Sequence, residues 1–266
     1  MVCSQEKSLY AIRDVSEITG IKPVTLRAWQ RRYNLIQPQR TEKGHRLYSQ
    51  EDIDIITEIQ SWLLKGVAIG KVQGLLGSKP NSDETFDTPQ LAEVRELLDA
   101  LSKLNRGKVE TTLAQLMKEY PLEIIVDKLI NPTIEALERV KSSLRSLQIG
   151  LLESCLMTRL LLIIDAENKA ASKGKCLLVS FGKTRPTESW LQAATLCEQG
   201  YHVTLIDRVD DVAGLLEHPV LEQYKTIFFF SNQALLQKQV EVIKTLRTQY
   251  SQQVNVSEVI EKVHSL

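Results

Sequence analysis

Apolar positions recur at helical spacing through the first two thirds of the 266-residue chain and then change to short unbroken runs. Residues 9–19 set Leu9, Ile12, Val15 and Ile18 on one helical face, and Gly20 supplies the left-handed conformation that ends such a helix. Pro23 suits the first turn of a second helix over about 23–33, where its missing N–H has no partner to lose. Two helices this close predict a helix-turn-helix. Residues 34–48 are polar, with Pro38 and Gly44 as breakers, and predict a two-stranded wing turning near Lys43 and Gly44. Ser49 and Asp52 form a capping-box pattern ahead of a helix that carries Ile53, Ile56, Ile59, Leu63 and Leu64 and stops at Gly66. A short helix at about 69–76 closes this block.

Residues 78–90 contain two prolines and mostly polar side chains, the composition of a linker. From 91 to 172 the helical period returns: Leu91, Val94, Leu97, Leu98 and Leu101 keep it, and Gly107 is expected to break it. Residues 144–171 are apolar over much of a helix circumference, which predicts burial by neighbours in a four-helix bundle. Beyond residue 173 the runs 176–181, 203–206 and 227–230, with a fourth near 253–256, predict strands covered on both faces. Helix-like stretches at 187–199, 209–217 and 232–249 separate them, so the expected sheet is parallel with right-handed crossovers. The predicted fold class is therefore α+β and multidomain. A winged helix-turn-helix spans 7–77 and a linker 78–90, followed by a helical bundle over 91–172 and a Rossmann-like α/β domain over 173–266.

Charge changes this picture by singling out one segment. The whole chain holds 33 basic and 33 acidic residues, yet residues 22–48 hold seven Lys or Arg against Glu42 alone. Residues 1–80 carry 12 basic and 8 acidic side chains, which leaves 21 and 25 for the rest. The positive field thus belongs to the N-terminal third, on the two elements suited to phosphate. No uninterrupted apolar run reaches the roughly 18 residues of a membrane span, and the first 20 residues lack a signal-peptide pattern, so the expected location is the cytoplasm. Cys3, Cys155, Cys176 and Cys197 lie far apart, as reduced thiols do.

In a helix-turn-helix the second helix enters the major groove, where arginine can bond guanine O6 and N7. Thr25, Arg27 and Arg31 or Arg32 are placed for this, and Lys43, His45 and Arg46 would reach the backbone or minor groove from the wing. Trp29 and Tyr33 suit a core-packing role equally well. The run TLRAWQRRYNLIQPQRTEKGHRLYSQEDI, after Val15 to Gly20, resembles the DNA-binding domain of MerR-type transcription regulators over residues 8–77. Thr25-Leu26-Arg27, Pro38, Arg40, Gly44, Arg46 and Tyr48 match that pattern; Trp29 holds the second aromatic position and Ala28 replaces the first. The resemblance implies DNA contacts by Lys22, Thr25, Arg27, Trp29, Arg31, Arg32, Arg40, Lys43, His45, Arg46 and Tyr48. It also implies a homodimer that bends and untwists promoter DNA so that RNA polymerase can align on it, against an elastic cost of about 1–6 kcal/mol. The dimerisation coiled coil of the family is not evident after residue 77.

The form of this segment is similar to the MlrA-like branch of the family and to its cobalamin-dependent light-sensing branch. The first implies an activator of biofilm-matrix genes, with a signalling partner such as an enzyme of cyclic di-GMP turnover. The second carries a Trp and a Glu-His pair on its bundle and a loop whose His ligates cobalt. Here Ser154 follows Glu153, and Arg185 and Glu188 stand where the His and Gly of that loop belong. Arginine has no lone pair for a metal, so no cobalamin is expected. Gly182, Lys183, Thr184 and Arg185 could instead hold an anionic or nucleotide effector such as cyclic di-GMP at a helix N-terminus. This is no P-loop, since Leu177 replaces its first glycine. A protein partner and a fold kept for dimerisation are the other readings of this half. His45, His202, His218 and His264 are scattered without paired cysteines, and no nucleophile motif is present, so neither a metal site nor an enzyme is expected.

Overall fold

The computed structural model describes residues 9–77, 91–140, 143–182 and 186–266. The chain forms two compact units that divide at residues 155 and 156.

The first unit begins with β1 (Tyr10–Ala11), α1 (Ile12–Thr19) and α2 (Pro23–Tyr33), followed by β2 (Gln39–Arg40), β3 (Arg46–Tyr48), α3 (Gln50–Leu64) and α4 (Ile69–Val72). Gly20 at φ 71° closes α1, and Pro23 opens α2. Ser49 caps α3 reciprocally with Asp52, its hydroxyl accepting from the Asp52 N–H at 3.2 Å while Asp52 Oδ2 accepts from the Ser49 N–H at 2.8 Å. The wing has one strand more than the two expected: β1 pairs with β3, Tyr10 opposite Tyr48, giving an antiparallel sheet of order β1-β3-β2. Val15, Leu26, Trp29, Tyr48, Ile56, Ile59 and Leu63 have no exposed surface and form the core beneath these elements.

The helical part continues with α5 (Glu93–Ser102), α6 (Arg106–Glu119), α7 (Leu122–Ile125), a π-helical turn (Val126–Ile130), α8 (Asn131–Arg139) and α9 (Arg145–Ala170). Gly107 does not break the period as expected, because it lies in the first turn of α6. The break falls at 103–105, with Leu104 at φ 48° and the Asn105 side chain capping the Lys108 N–H at 3.0 Å. The π turn immediately precedes Pro132, which has no N–H to continue an α ladder; the wider turn lets the Asn131 N–H reach Val126 O.

The helix α9 departs from its expected burial. Leu152, Cys155, Leu156 and Leu160 are buried, but Leu147, Leu161 and Leu162 stay more than half exposed. Apolar residues run further round this helix than its neighbours reach. Among the described residues it is the one helix long and apolar enough to cross a membrane, with mean hydropathy 1.7 over 18 residues.

The second unit holds β4 (Lys175–Phe181), α10 (Pro186–Glu198), β5 (His202–Val209), β6 (Thr226–Phe230), α11 (Gln237–Gln249), β7 (Val254–Val256) and α12 (Glu258–His264). All strand pairs are parallel, in the order β5-β4-β6-β7. Alternate residues of β4 feed two cores: Leu177, Val179 and Phe181 pack with Ile227, Phe229 and Ile243 on one face, and Cys176 and Leu178 with Ala193, Cys197 and Val203 on the other. Coverage on both faces explains the unbroken apolar run. The helix expected at 209–217 is absent. The strand β5 runs on to Val209, and the return to β6 uses two 3-10 turns, Ala213–Leu215 and Pro219–Gln223, in a stretch that Gly214 and Pro219 make unfavourable for a longer helix.

Candidate nucleic-acid interface

The helix α2 sorts its side chains by face at about 100° per residue. Thr25, Leu26 and Trp29 turn into the core, whereas Arg27 and Arg31, one turn apart, are exposed. Lys22 stands at the N-cap, half-buried, and Asn34 ends the helix in the left-handed conformation at φ 52°.

The wing is a tight hairpin. The Thr41 N–H donates to His45 O at 2.9 Å, the Gly44 N–H to Thr41 O at 2.8 Å, and the His45 N–H to Thr41 Oγ1 at 3.1 Å. Gly44 sits at φ 80°, a conformation that favours glycine. Arg40, Lys43 and His45 project into solvent from this hairpin. Arg27, Arg31, Arg40 and Lys43 form no ion pair with the described residues, so their charges remain available. The wing is tied to the helix by Arg46, whose Nε–H donates to Gln30 Oε1 at 2.7 Å.

Two aromatics expected at the DNA surface lie elsewhere. Trp29 and Tyr48 have no exposed surface, and Thr25 is buried as well. A side chain without surface offers a duplex nothing, so these three shape the helix and wing from beneath. The Tyr48 hydroxyl has no hydrogen-bond partner among the described residues; burial raises its pKa, while the nearby Arg46 and Arg27 cations oppose the rise.

The remaining face of α2 meets the C-terminal end of α6. Trp29 Nε1–H donates to the Glu119 carbonyl at 2.7 Å, Tyr33 Oη–H donates to Glu119 Oε2 at 2.7 Å, and Arg32 Nη1 contacts Glu119 Oε1. The Glu119 side chain is 3 % exposed. Tyr120 follows it, buried, and its hydroxyl accepts the Ile69 N–H at the start of α4 at 3.1 Å. Arg32 is therefore paired within the protein, in contrast to Arg27 and Arg31. Sequence reasoning missed Gln30, Glu119 and Tyr120. A signal for Glu119 existed: it continues the buried series Val109, Thr112, Leu113 and Leu116. It also sits at a helix C-terminus, where the macrodipole disfavours a negative charge.

The expected effector loop is less complete. Gly182 is exposed, its N–H donates to Val209 O at 3.2 Å, and an added Cβ would lie 2.8 Å from Asp210 Oδ1. Lys183, Thr184 and Arg185 lie outside the described residues. The acidic side chains of β5, of the turn after it and of α10 are each engaged locally. Asp207 accepts from Ser180 Oγ at 2.8 Å, Glu188 contacts Asn232, and Asp211 is held below the usual carboxylate range by the Ala213 N–H and then by Lys238. Ser154, on α9, accepts from Arg106 Nη1 at 3.2 Å.

Residues 10–79 match the MerR HTH family regulatory protein family. The HTH-type transcriptional regulator MlrA of Salmonella typhimurium strain LT2 is 33% identical over 236 residues, covering 87% of this chain and 93% of the relative. MlrA of Escherichia coli K12 is 32% identical over 201 residues, covering 75% and 80%. The HTH-type transcriptional repressor CarH of Myxococcus xanthus matches at 25% over 135 residues, covering 47% and 45%. The MlrA similarity extends well beyond the winged helix-turn-helix, and the chain belongs to the MerR family of DNA-binding transcriptional regulators.

Proposed function

We propose that this regulator reads promoter DNA through Arg27 and Arg31 in the major groove, while Arg40, Lys43 and His45 hold the flanking backbone or minor groove. The observation that carries the assignment is the set of exposed cations on α2 and the wing with no acidic partner among the described residues. Helix and wing are joined by the Arg46–Gln30 bond, so they meet a duplex as one surface. The protein acts as a homodimeric activator that distorts promoter DNA for RNA polymerase. In keeping with the MlrA-like form of its basic segment, its targets include biofilm-matrix genes.

The C-terminal half serves as the sensor, with a protein partner such as an enzyme of cyclic di-GMP turnover. The Asp210 carboxylate against Gly182 disfavours an anion there. On α9 Ser154 stands where the cobalamin-dependent branch has a His, and its hydroxyl is engaged by Arg106, which supports a sensor without cobalamin. The protein works in the cytoplasm, and α9 packs along one side. Leu156 and Leu160 are buried, Ile164 joins the sheet's core, and Asn168 donates to Val203 O at 3.0 Å.

Selection from a random duplex pool tests the function. The full chain is expected to enrich one inverted-repeat sequence, with affinity falling steeply as salt rises, by about 0.9 in log–log slope per neutralised phosphate. Lys43→Ala is expected to reduce that slope by roughly one such step. Enrichment of nothing, or a flat response to salt, would remove the assignment.

A further inference from the structure

The contact between α6 and α2 has a consequence for recognition that rests on the DNA-binding role above. We propose that Glu119 is a positioning residue of the DNA-binding surface: it fixes the roll of α2, so that the surface works only together with α6.

Glu119 combines three unfavourable circumstances in one side chain. It is a carboxylate, it is almost wholly withdrawn from water, and it lies at the helix end whose dipole is already negative. It is tolerated because α2 supplies what water would have supplied: a guanidinium from Arg32, a hydroxyl from Tyr33 and, at the Glu119 carbonyl, the indole N–H of Trp29. Those three donors span the last turn and a half of α2. A helix held at Trp29, Arg32 and Tyr33 cannot roll about its axis without breaking at least one of the three bonds. Arg27 and Arg31 lie on a different face of the same helix, so their direction is set by that roll. The next residue, Tyr120, receives the Ile69 N–H, so the end of α6 grips the start of α4 as well.

The same geometry argues against an inhibitory lock. Were Arg32 to leave for a phosphate, Glu119 would remain buried with its charge uncompensated, an arrangement more costly than the pair itself. Arg32 therefore stays with Glu119 when DNA binds, and it is a part of the joint rather than a withheld DNA contact.

The test uses the full chain, a duplex selected by the wild-type protein and a scrambled duplex of equal length. Glu119→Ala is expected to lower affinity for the selected duplex at least tenfold and to leave scrambled-duplex affinity and its salt slope unchanged. Glu119→Gln keeps one acceptor oxygen, for either Tyr33 or Arg32 but not both, and is expected to fall between. Equal loss on both duplexes, tracking the folded fraction by circular dichroism, would reduce Glu119 to a stabilising residue and overturn the proposal. So would a gain in affinity with a salt slope steeper by about 0.9, the mark of Arg32 freed for a phosphate. Should Glu119→Ala not fold, Glu119→Gln decides, since an unchanged ratio of selected to scrambled affinity refutes positioning. A wild-type chain that selects no sequence would instead refute the DNA-reading role itself.

Discussion

The outer face of α2 with its wing and the carboxyl end of the parallel sheet both gather charged side chains, and they treat charge in opposite ways. On α2 and the wing, Arg27, Arg31, Arg40 and Lys43 point outward with no ion-pair partner among the described residues. At the sheet end, Asp207 is bonded to Ser180, Asp211 to the Ala213 N–H and Lys238, and Glu188 contacts Asn232. Charges left open mark a surface completed by another molecule, whereas charges closed on their own chain hold local structure. The contrast also runs through a single helix, since Arg32, itself half exposed, is closed on the buried Glu119.

The largest way to break this contrast is from beneath. Trp29→Ala removes a fully buried indole and its bond to the Glu119 carbonyl, and is expected to destabilise the first unit by about 3–5 kcal/mol. Urea unfolding of the variant measures this, and a loss under about 1 kcal/mol would show that α2 does not need the joint. Arg27→Ala comes next. Binding to the selected duplex should weaken by about 1–3 kcal/mol with stability unchanged, as for a lost base contact. An identical footprint and affinity would return Arg27 to an ordinary solvated residue. The smallest expected effect lies at the sheet end. Cyclic di-GMP titrated into the full chain should give no heat beyond dilution, and a saturable signal would assign the nucleotide to the second unit.

Legibility in the sequence followed the range of the interactions. The helix α2 and the Ser49 cap are set by residues within four positions, and their patterns give them at nearly the observed limits. The strands β4, β5, β6 and β7 are equally visible because coverage on two faces leaves apolar runs. The two-residue strand β1 is invisible, since its partner lies 38 residues away and a dipeptide has no period. Glu119 offers only the local hint of continuing a buried helical series, because the partners that hold it, Arg32 and Tyr33, stand 87 and 86 residues earlier. The basic segment announces a DNA surface, but its chemistry cannot tell which cations face out. Arg31 and Arg32 are adjacent in sequence and opposite in role, and only the packing of α6 distinguishes them.

The bond from Arg46 to Gln30 bears on which bases the helix can name. A glutamine reads adenine with both ends of its amide, accepting from N6 and donating to N7. In this chain Arg46 already occupies one lone pair of the Gln30 oxygen and fixes the direction of its amide from the wing. Under the proposed role, the wing therefore governs how Gln30 can meet a base, and a change in the wing would be felt on the helix.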